Sequence, residues 1–391
     1  MFCRTDHDMF AHVIITLLSC VTHVTSEFQC QGTCYSGSFP KNNQVIKGKH
    51  LRGYSYKNIT TDVPHTCFSS CINDCRCKAF QMKDVRCELL DEDKTSKAAD
   101  FVDETGYVYY DLQQTLYKGN PSSFVIPNDC SNGCCQNQPC LNGGTCKEKC
   151  QHPRTKFNCK CTTQYHGRVC EKKVASCWDI LKSAPEGPRP DKGVYNITLT
   201  NTNITVPVYC LFDQKLVWTL IESFSLENLQ LYVEKAFHQD FSRNVDAPDK
   251  WKDYRLSLDM MKYIRSKAVM FRATCEYPNR PSNHLLTDSL LGYLSDYDLI
   301  NGGDVEGKCF KFAYINIRGQ EFFNITTAVW HKLNTHQIHL DCHAAPCGNL
   351  KLIDSVAEDD CFGKYNPIRR ELSKCTATQQ STTQWWLGEQ Q

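Results

Sequence analysis

The strongest constraint on this chain is a cluster of eight cysteines within residues 134–171, namely Cys134, Cys135, Cys140, Cys146, Cys150, Cys159, Cys161 and Cys170. The same stretch holds few bulky apolar residues, so it cannot bury a hydrophobic core large enough to fold alone. Small secreted domains with this problem are held together by disulfides. The sequence therefore predicts a compact, cross-linked module over residues 134–171, with a larger flank on each side.

Cysteine usage in the whole chain indicates an oxidising compartment. The 391 residues include 26 cysteines, a density that would be a liability in a reducing cell unless the thiols bound metal or did redox chemistry. Zinc binding is the rival explanation, but the spacings lack the repeated C-x2-C knuckles and H-x3-H partners of tetrahedral sites. The formal net charge is +1 without a basic tract, which argues against nucleic-acid binding. A chain of this length suits two or three domains.

Residues 1–26 have the pattern of a secretory signal peptide. The apolar run from Phe10 to Val21 is too short to span a bilayer, and Ser26 supplies a small residue for cleavage. No later stretch is apolar for long enough to cross a membrane, so we expect no membrane span. Removal of residues 1–26 takes away Cys3 and Cys20 from the 26 cysteines and leaves an even number, which allows all of them to pair.

Four Asn-x-Thr sequons fit the same compartment. They predict N-glycans at Asn58, Asn196, Asn203 and Asn324. Sequons also arise by chance in long chains, so the prediction depends on these residues being exposed.

The spacing of six clustered cysteines, the turn at Asn142-Gly143-Gly144 and an aromatic-x-Gly before the last cysteine make residues 134–171 resemble an epidermal growth factor-like (EGF-like) domain, a two-stranded β module. The resemblance implies the disulfides Cys135–Cys146, Cys140–Cys159 and Cys161–Cys170. The number of cysteines alone does not select this pairing. Cys134 and Cys150 are departures from the family pattern, and we expect them to pair with each other. The acidic lead of calcium-binding members is missing, so we predict no metal in this module.

A second cysteine pattern lies on a predicted helix near residue 62. Asp62 is a candidate N-cap, and Pro64 occupies a tolerated position in the first turn. Three cysteines then fall at i, i+4 and i+8 on one helix face, namely Cys67, Cys71 and Cys75. Strands rich in aromatic and β-branched residues are predicted to follow, beginning at Cys77, Cys87 and Gly106.

This order resembles a PAN/apple domain, an α+β module, over residues 30–116. The resemblance implies that the helix cysteines bond to the following strands as Cys67–Cys87 and Cys71–Cys77. It leaves Cys30, Cys34, Cys75 and Cys130 unassigned. It also implies a protein- or carbohydrate-binding module of secreted proteins. A spacer without a ligand is the alternative, because a fold does not determine its function.

A linker and a larger C-terminal domain complete the chain. Residues 117–133 are rich in turn formers and are predicted to be the linker. The domain over residues 175–391 opens with Cys177 and continues with alternating apolar positions from Tyr195 to Phe212, as in half-buried strands. This order resembles the start of a fibrinogen-like C-terminal domain, a mixed α+β fold, and implies a Cys177–Cys210 disulfide. The family's Trp- and Gly-rich centre is missing and the later cysteines do not fit its pattern, so we interpret the domain as divergent.

Fibrinogen-like domains commonly hold calcium near their ligand pocket. The weak counterpart here is the acidic loop that contains Asp296, Asp298 and Asp304. Ile300 stands where the ligand pattern requires an oxygen, so we expect a solvated turn without calcium.

Motifs for catalysis are missing. There is no G-x-S-x-G elbow, no H-E-x-x-H and no phosphate loop. Four histidines crowd one stretch without a tight ligand spacing, namely His331, His336, His339 and His343. We predict a structural or surface role for them, and we expect no catalytic residue, no cofactor and no enzymatic activity.

The sequence as a whole predicts α+β and small disulfide-rich modules in a secreted, extracellular protein. Its preferred function is binding or adhesion, in which the PAN/apple-like and fibrinogen-like domains recognise a protein or glycan ligand and the EGF-like module is a spacer. The alternative is a structural component of the extracellular matrix. Solubility separates the two functions, because a freely diffusing monomer favours recognition and retention in an insoluble matrix favours structure.

Overall fold

The structure is a computed structural model, and it describes residues 35–116, 132–149, 152–183, 189–213, 215–279, 288–336, 338–341, 347, 361–363, 365 and 373–390. Several predictions lie outside these residues. They concern the signal peptide over residues 1–26, nearly all of the 117–133 linker, and Cys30, Cys34, Cys130, Cys150 and His343.

Strands dominate the described residues. In the first 173 residues they are β1 (Tyr35–Gly37), β2 (Val45–Leu51), β3 (Ser55–Thr60), β4 (Ala79–Lys83), β5 (Arg86–Leu90), β6 (Phe101–Asp111), β7 (Gln114–Leu116), β8 (Thr145–Glu148), β9 (Phe157–Lys160), β10 (Tyr165–His166) and β11 (Lys172–Lys173). Further along they are β12 (Gly193–Thr198), β13 (Thr205–Phe212), β14 (Leu216–Ser225), β15 (Asp253–Arg255), β16 (Met270–Cys275), β17 (Ser289–Tyr293), β18 (Val305–Ile317), β19 (Gln320–His331), β20 (Ile338–Asp341), β21 (Cys361–Phe362) and β22 (Thr382–Gln390).

Helices are few and short. The described α-helices are α1 (Pro64–Ile72), α2 (Cys177–Lys182), α3 (Leu229–Tyr232) and α4 (Leu258–Arg265), and single 3-10 turns occur at Asn42–Gln44, Ala98–Asp100, Leu226–Asn228 and Tyr277–Asn279. The described chain is therefore mostly β-sheet and rich in disulfides, and the predicted α+β class is not confirmed. Among these helices, none has the length and apolar character needed to cross a membrane.

The chain divides into two compact units. The first unit comprises residues up to Thr162 together with Gly167–Glu171, and the second comprises Thr163–His166 and the residues from Lys172 onward. In the first unit, a five-stranded antiparallel sheet has the order β2-β6-β4-β5-β3, and β8 pairs with β9. In the second unit, an 11-stranded sheet follows the order β12-β13-β14-β22-β16-β17-β18-β19-β20-β21, with β15 attached to β14.

Helix α1 covers one face of the five-stranded sheet. Its cysteines Cys67 and Cys71 are buried against Phe80 and Met82 of β4. The start of the helix corrects the predicted cap: Val63 is the N-cap and no side chain caps the first turn, so Asp62 does not have that role. Pro64 replaces a cap in part, because it has no N–H that would need an acceptor.

The disulfides of the first unit include all five that the two resemblances imply there. They are Cys67–Cys87, Cys71–Cys77, Cys135–Cys146, Cys140–Cys159 and Cys161–Cys170. The expected Cys134–Cys150 pair is wrong, because Cys134 bonds to Cys75 across 59 residues of sequence. The physical reason is that α1 ends at Ile72, so Cys75 lies beyond the helix and does not share the face of Cys67 and Cys71.

Charged contacts join residues 132–171 to the sheet within the first unit. Arg154 lies 3.2 Å from the Asp93 carboxylate and 3.4 Å from that of Asp111. Arg168 donates a hydrogen bond of 2.9 Å to the carbonyl of Asp91. Lys156 is fully buried, and this burial lowers its pKa to about 8. Together with the Cys75–Cys134 disulfide, these contacts connect Arg154, Lys156 and Arg168 to the rest of the first unit.

The second unit is built around strands that are distant in sequence. Strand β22 lies between β14 and β16, and its residues Trp385 and Trp386 are fully buried. The guanidinium of Arg272 lies 4.3 Å from the ring centroid of Trp218 and 4.8 Å from that of Trp386. Three disulfides are described in this unit, namely Cys177–Cys210, which the resemblance implies, Cys275–Cys375 and Cys309–Cys347.

A buried ionic group lies in the core of the second unit. Arg255 and Glu222 are both inaccessible to solvent and approach to 2.9 Å. Arg255 also donates to the carbonyls of Lys235 and Ala236. His336 bonds to the other carboxylate oxygen of Glu222. Since buried charges are tolerated when they are paired and hydrogen-bonded, this group is a structural part of the core.

Candidate functional site

The first unit exposes a polar surface on the sheet face that α1 does not cover. Phe80 and Met82 of β4 point to the helix side, so the alternating residues Gln81 and Lys83 point to the opposite side. We call this surface the polar face and define it by His50, Arg52, Gln81, Lys83, Arg86, Glu88, Glu104 and Tyr107.

The floor of the polar face is a buried hydrogen-bond network. Gln81 is fully buried; its amide donates to the Glu88 carboxylate at 2.7 Å and its oxygen accepts from the Leu51 N–H at 2.9 Å. The Tyr107 hydroxyl donates to Glu88 at 3.3 Å, and burial raises the pKa of Tyr107. Glu88 is only 5% exposed, so these donors fix the orientation of its carboxylate.

His50 lies between two carboxylates of the polar face. Its Nδ1 is 2.9 Å from Glu104, and its Nε2 is 4.0 Å from Glu88. Its ring stacks on Tyr107 with centroids 4.1 Å apart and an interplanar angle of 14°. The hydrogen bond from His50 lowers the pKa of Glu104, which Arg52 and Lys83 also help to keep ionised. The two carboxylates and the Tyr107 ring therefore fix the position of the imidazole.

Three cations form the rim of the polar face. Arg86 is 2.8 Å from Glu88, Arg52 is 3.5 Å from Glu104, and Lys83 is 3.7 Å from Glu104. The Arg52 and Arg86 side chains remain 67% and 51% exposed, so solvent or a ligand can reach their unused donors. Lys83 also lies 5.0 Å over the Tyr107 ring.

The charges of the polar face favour an anionic or hydroxyl-rich ligand. The three rim cations face two carboxylates, so the surface carries an excess of one positive charge when His50 is neutral. Guanidinium and ammonium groups form their strongest hydrogen bonds with carboxylate, sulfate or phosphate oxygens. The buried network beneath them holds the rim in place before a ligand arrives, which reduces the entropy lost on binding.

Sequence reasoning did not identify the polar face. A signal was present, because polar residues alternate with apolar ones in both β4 (Phe80, Gln81, Met82, Lys83) and β5 (Arg86, Cys87, Glu88, Leu89). Such alternation predicts one buried and one polar sheet face. It does not show which polar residues of distant strands meet.

The structure places all four predicted glycosylation sites at exposed positions. Asn58 lies on β3, Asn196 on β12, Asn203 in the turn that precedes β13, and Asn324 on β19. Asn203 and Asn324 have positive φ angles of 59° and 49°. Exposure is the condition on which the glycan prediction depends.

Two of the three carboxylates in the weak calcium candidate loop already bond to other groups of the protein. Asp298 bonds to Arg265 at 3.1 Å and to the side chain of Asn301 at 3.0 Å, and these contacts lower its pKa despite partial burial. Asp304 accepts from the backbone N–H of Leu333, and Asp296 is exposed. Within the residues that the structure describes, no group of three or more His, Cys, Asp or Glu side chains is arranged to hold a metal ion.

The predicted histidine cluster does not converge on one point. His331 is buried against the Tyr297 hydroxyl, and burial lowers its pKa. His336 bonds to Glu222, and His339 packs edge-on against Trp330 at 6.1 Å. A cavity of about 10 Å³ between His331 and His336 has room for about one water molecule. The three described histidines therefore make contacts within the protein, and His343 lies outside the described residues.

Comparison with known families identifies one part of the first unit. Residues 42–114 match the family model of the PAN domain. The chain therefore contains a PAN domain, and the whole polar face lies within the matched residues. The match ends before residues 134–171 and 175–391. No curated protein and no solved structure gives a significant match to the chain.

Proposed function

We propose that the chain is a secreted extracellular binding protein whose PAN domain recognises an anionic protein or carbohydrate ligand through the polar face. One observation carries this proposal: exposed Arg86 pairs with the buried Glu88, and Arg52 and Lys83 pair with Glu104 beside it. PAN domains often mediate protein or carbohydrate binding. We propose that the chain has no enzymatic activity, so that ligand binding is not followed by a chemical step.

Three features support an extracellular location. Nine disulfides lie in the described residues, a number that suits an oxidising compartment. All four sequons are at exposed positions, where a glycan is compatible with the fold. A PAN domain is consistent with the same location.

The proposal assigns supporting roles to the rest of the chain. Residues 134–171 act as an EGF-like spacer, supported by three disulfides in the family's order and by the two-stranded pairing of β8 with β9. Residues 175–391 act as a divergent fibrinogen-like domain, supported by the Cys177–Cys210 disulfide at its entrance. In this proposal the domain over residues 175–391 contributes an adhesion surface and has no calcium site.

Ligand binding by the full chain tests the polar face. The secreted protein is applied to an array of acidic and neutral glycans and of extracellular proteins, and its best ligand is titrated at two salt concentrations. The polar-face variant carries both Lys83→Ala and Arg86→Ala. The control variant carries both Lys41→Ala and Lys57→Ala, which removes the same charge from exposed positions outside the polar face.

The polar-face variant is expected to raise Kd by at least about tenfold, because each lost charged hydrogen bond costs about 1.5–3 kcal/mol. The control variant is expected to change Kd by less than about threefold, and binding should weaken with salt. Equal losses in both variants would mean that only bulk charge matters. An absence of ligands on the array together with retention in insoluble matrix would favour the structural alternative.

A further inference from the structure

The second unit exposes an aromatic pair on the hairpin of β18 and β19. Phe323 is 64% exposed, more than any other large apolar side chain in the described residues. Tyr314 lies directly opposite it on β18, with ring centroids 5.0 Å apart. An aromatic ring at this exposure leaves apolar area in water that a covering group would remove.

The residue after Phe323 is the sequon asparagine Asn324. Strict strand alternation would turn one of these two neighbours toward the interior, yet both are exposed. The reason is local: Asn324 has a left-handed backbone with φ of 49°, and it does not pair with β18, although Phe323 and Ile325 on either side do. Asparagine tolerates this conformation better than other residues with a side chain. The Asn324 amide and the Phe323 ring are therefore neighbours in the chain that are both exposed to solvent.

We propose that the first sugar of an N-glycan on Asn324 covers the Phe323–Tyr314 pair. The C–H face of a pyranose ring is apolar and packs flat on an aromatic ring, while its hydroxyl groups stay in water. A sugar bonded to the adjacent residue reaches Phe323 at a high effective concentration, so it needs no separate binding affinity. This inference rests on the proposed secretion of the chain, which exposes the sequon to the glycosylation machinery.

The same combination occurs at a second sequon. Asn203 also has a positive φ, of 59°, and it is followed by Ile204, which is 56% exposed. Two sequons of this unit thus place a left-handed asparagine beside an exposed apolar side chain. The coincidence favours the chain's own glycans, and not a second protein, as the cover for these residues.

The test uses the full chain secreted from a glycosylating eukaryotic cell. Thr326→Val abolishes the sequon but keeps Asn324 and a β-branched residue in the strand, and Thr326→Ser keeps the sequon. Thr60→Val removes the Asn58 sequon in the same way and is the matched control. Glycopeptide mapping measures occupancy, and tryptophan fluorescence measures the Tm of the second unit, since all six tryptophans lie in it.

Thr326→Val is expected to lower this Tm by about 2–4 °C, whereas Thr326→Ser and Thr60→Val should leave it within about 1 °C. In a Phe323→Ala background, the same Thr326→Val change should have no further effect, because the sugar then has no ring to cover. If Phe323→Ala fails to fold, enzymatic trimming of the wild-type glycan to its first sugar replaces it and should preserve the Tm.

Three results would overturn the inference. The first is an equal Tm loss with and without the Phe323 ring, and the second is a loss of Tm on trimming to one sugar. The third is a bare Asn324 in a protein whose Asn58 is occupied. A protein with no glycan at any sequon would instead contradict the proposed secretion, so the two failures can be told apart.

Discussion

The buried carboxylate of Glu389 makes a prediction about the pH dependence of stability. Glu389 lies on β22, is 5% exposed, and one of its carboxylate oxygens lacks a hydrogen-bond partner among the described residues. Burial raises its pKa from 4.5 to about 7, and the hydrogen bond with Ser176 and the charge of Lys267 only partly oppose this effect. The folded protein therefore prefers the protonated acid.

The size and sign of the effect follow from this difference in pKa. A rise from 4.5 to about 7, at about 1.36 kcal/mol for each pH unit, corresponds to about 3 kcal/mol of unfolding free energy. Because the folded pKa is above the unfolded one, the contribution is fully present below pH 4.5 and is lost as pH rises through about 7. Replacement by glutamine, which cannot ionise, should remove this loss.

Urea unfolding of wild type and Glu389→Gln, followed by tryptophan fluorescence between pH 4.5 and 8, measures this contribution. The stability of the variant relative to wild type should rise across this range and reach a gain of about 3 kcal/mol near pH 8. Glu306→Gln is the control, because Glu306 is exposed and a surface change should stay within about 0.5 kcal/mol at every pH.

The change with pH is the decisive quantity, because a buried glutamine amide can shift the stability of the variant by a constant amount. Parallel pH profiles for Glu389→Gln and wild type would refute the reasoning. They would mean that Glu389 is ionised in the folded protein, with solvent or Lys267 compensating for its burial.

Three further predictions concern cross-links, buried charge and metal. The double variant with Cys75→Ala and Cys134→Ala opens a loop of 59 residues. Its first unit should have an unfolding free energy lower by up to about 4 kcal/mol, which urea titrations monitored by circular dichroism measure. Arg255→Met leaves the Glu222 carboxylate buried beside His336 alone and should cost about 3–5 kcal/mol by tryptophan-monitored unfolding, and a cost below about 1 kcal/mol would contradict the buried ion pair. Calcium should give no stoichiometric heat in calorimetry, because Asp298 is already bonded to Arg265, and binding that disappears in Asp298→Ala would reverse this expectation.

The disulfides show which parts of the fold were predictable from the sequence. Cys135–Cys146 and Cys71–Cys77 are pairs that the two family resemblances imply, and the structure contains both. The Cys75–Cys134 bond depends on where α1 ends and on how residues 132–171 approach the sheet. Those are tertiary facts, so the sequence allowed the wrong expectation for Cys134.

The polar face shows a similar limit for the candidate site. The strands that carry Gln81 and Glu88 were predictable from their alternation and from the cysteines beside them. Their meeting with His50 and Tyr107 requires the order β2-β6-β4-β5, in which neighbours in space are far apart in sequence. In the second unit, Thr274 of β16 lies opposite Gln384 of β22, and no local pattern predicts such a register.

The strand order also determines how a ligand reaches the polar face. Asn58 of edge strand β3 pairs with Glu88 of β5, and paired residues of antiparallel strands point to the same side of a sheet. A glycan on Asn58 would therefore stand at the β3 edge of the polar face. His50 lies on β2 at the opposite edge of the same sheet. The proposed ligand would then reach the polar face from the β2 side, where Arg52 is the most exposed cation of the rim, and a thin, extended anionic chain would pass the glycan. We therefore propose a linear acidic polymer or an extended acidic segment, and not a broad globular surface, as the ligand of the polar face.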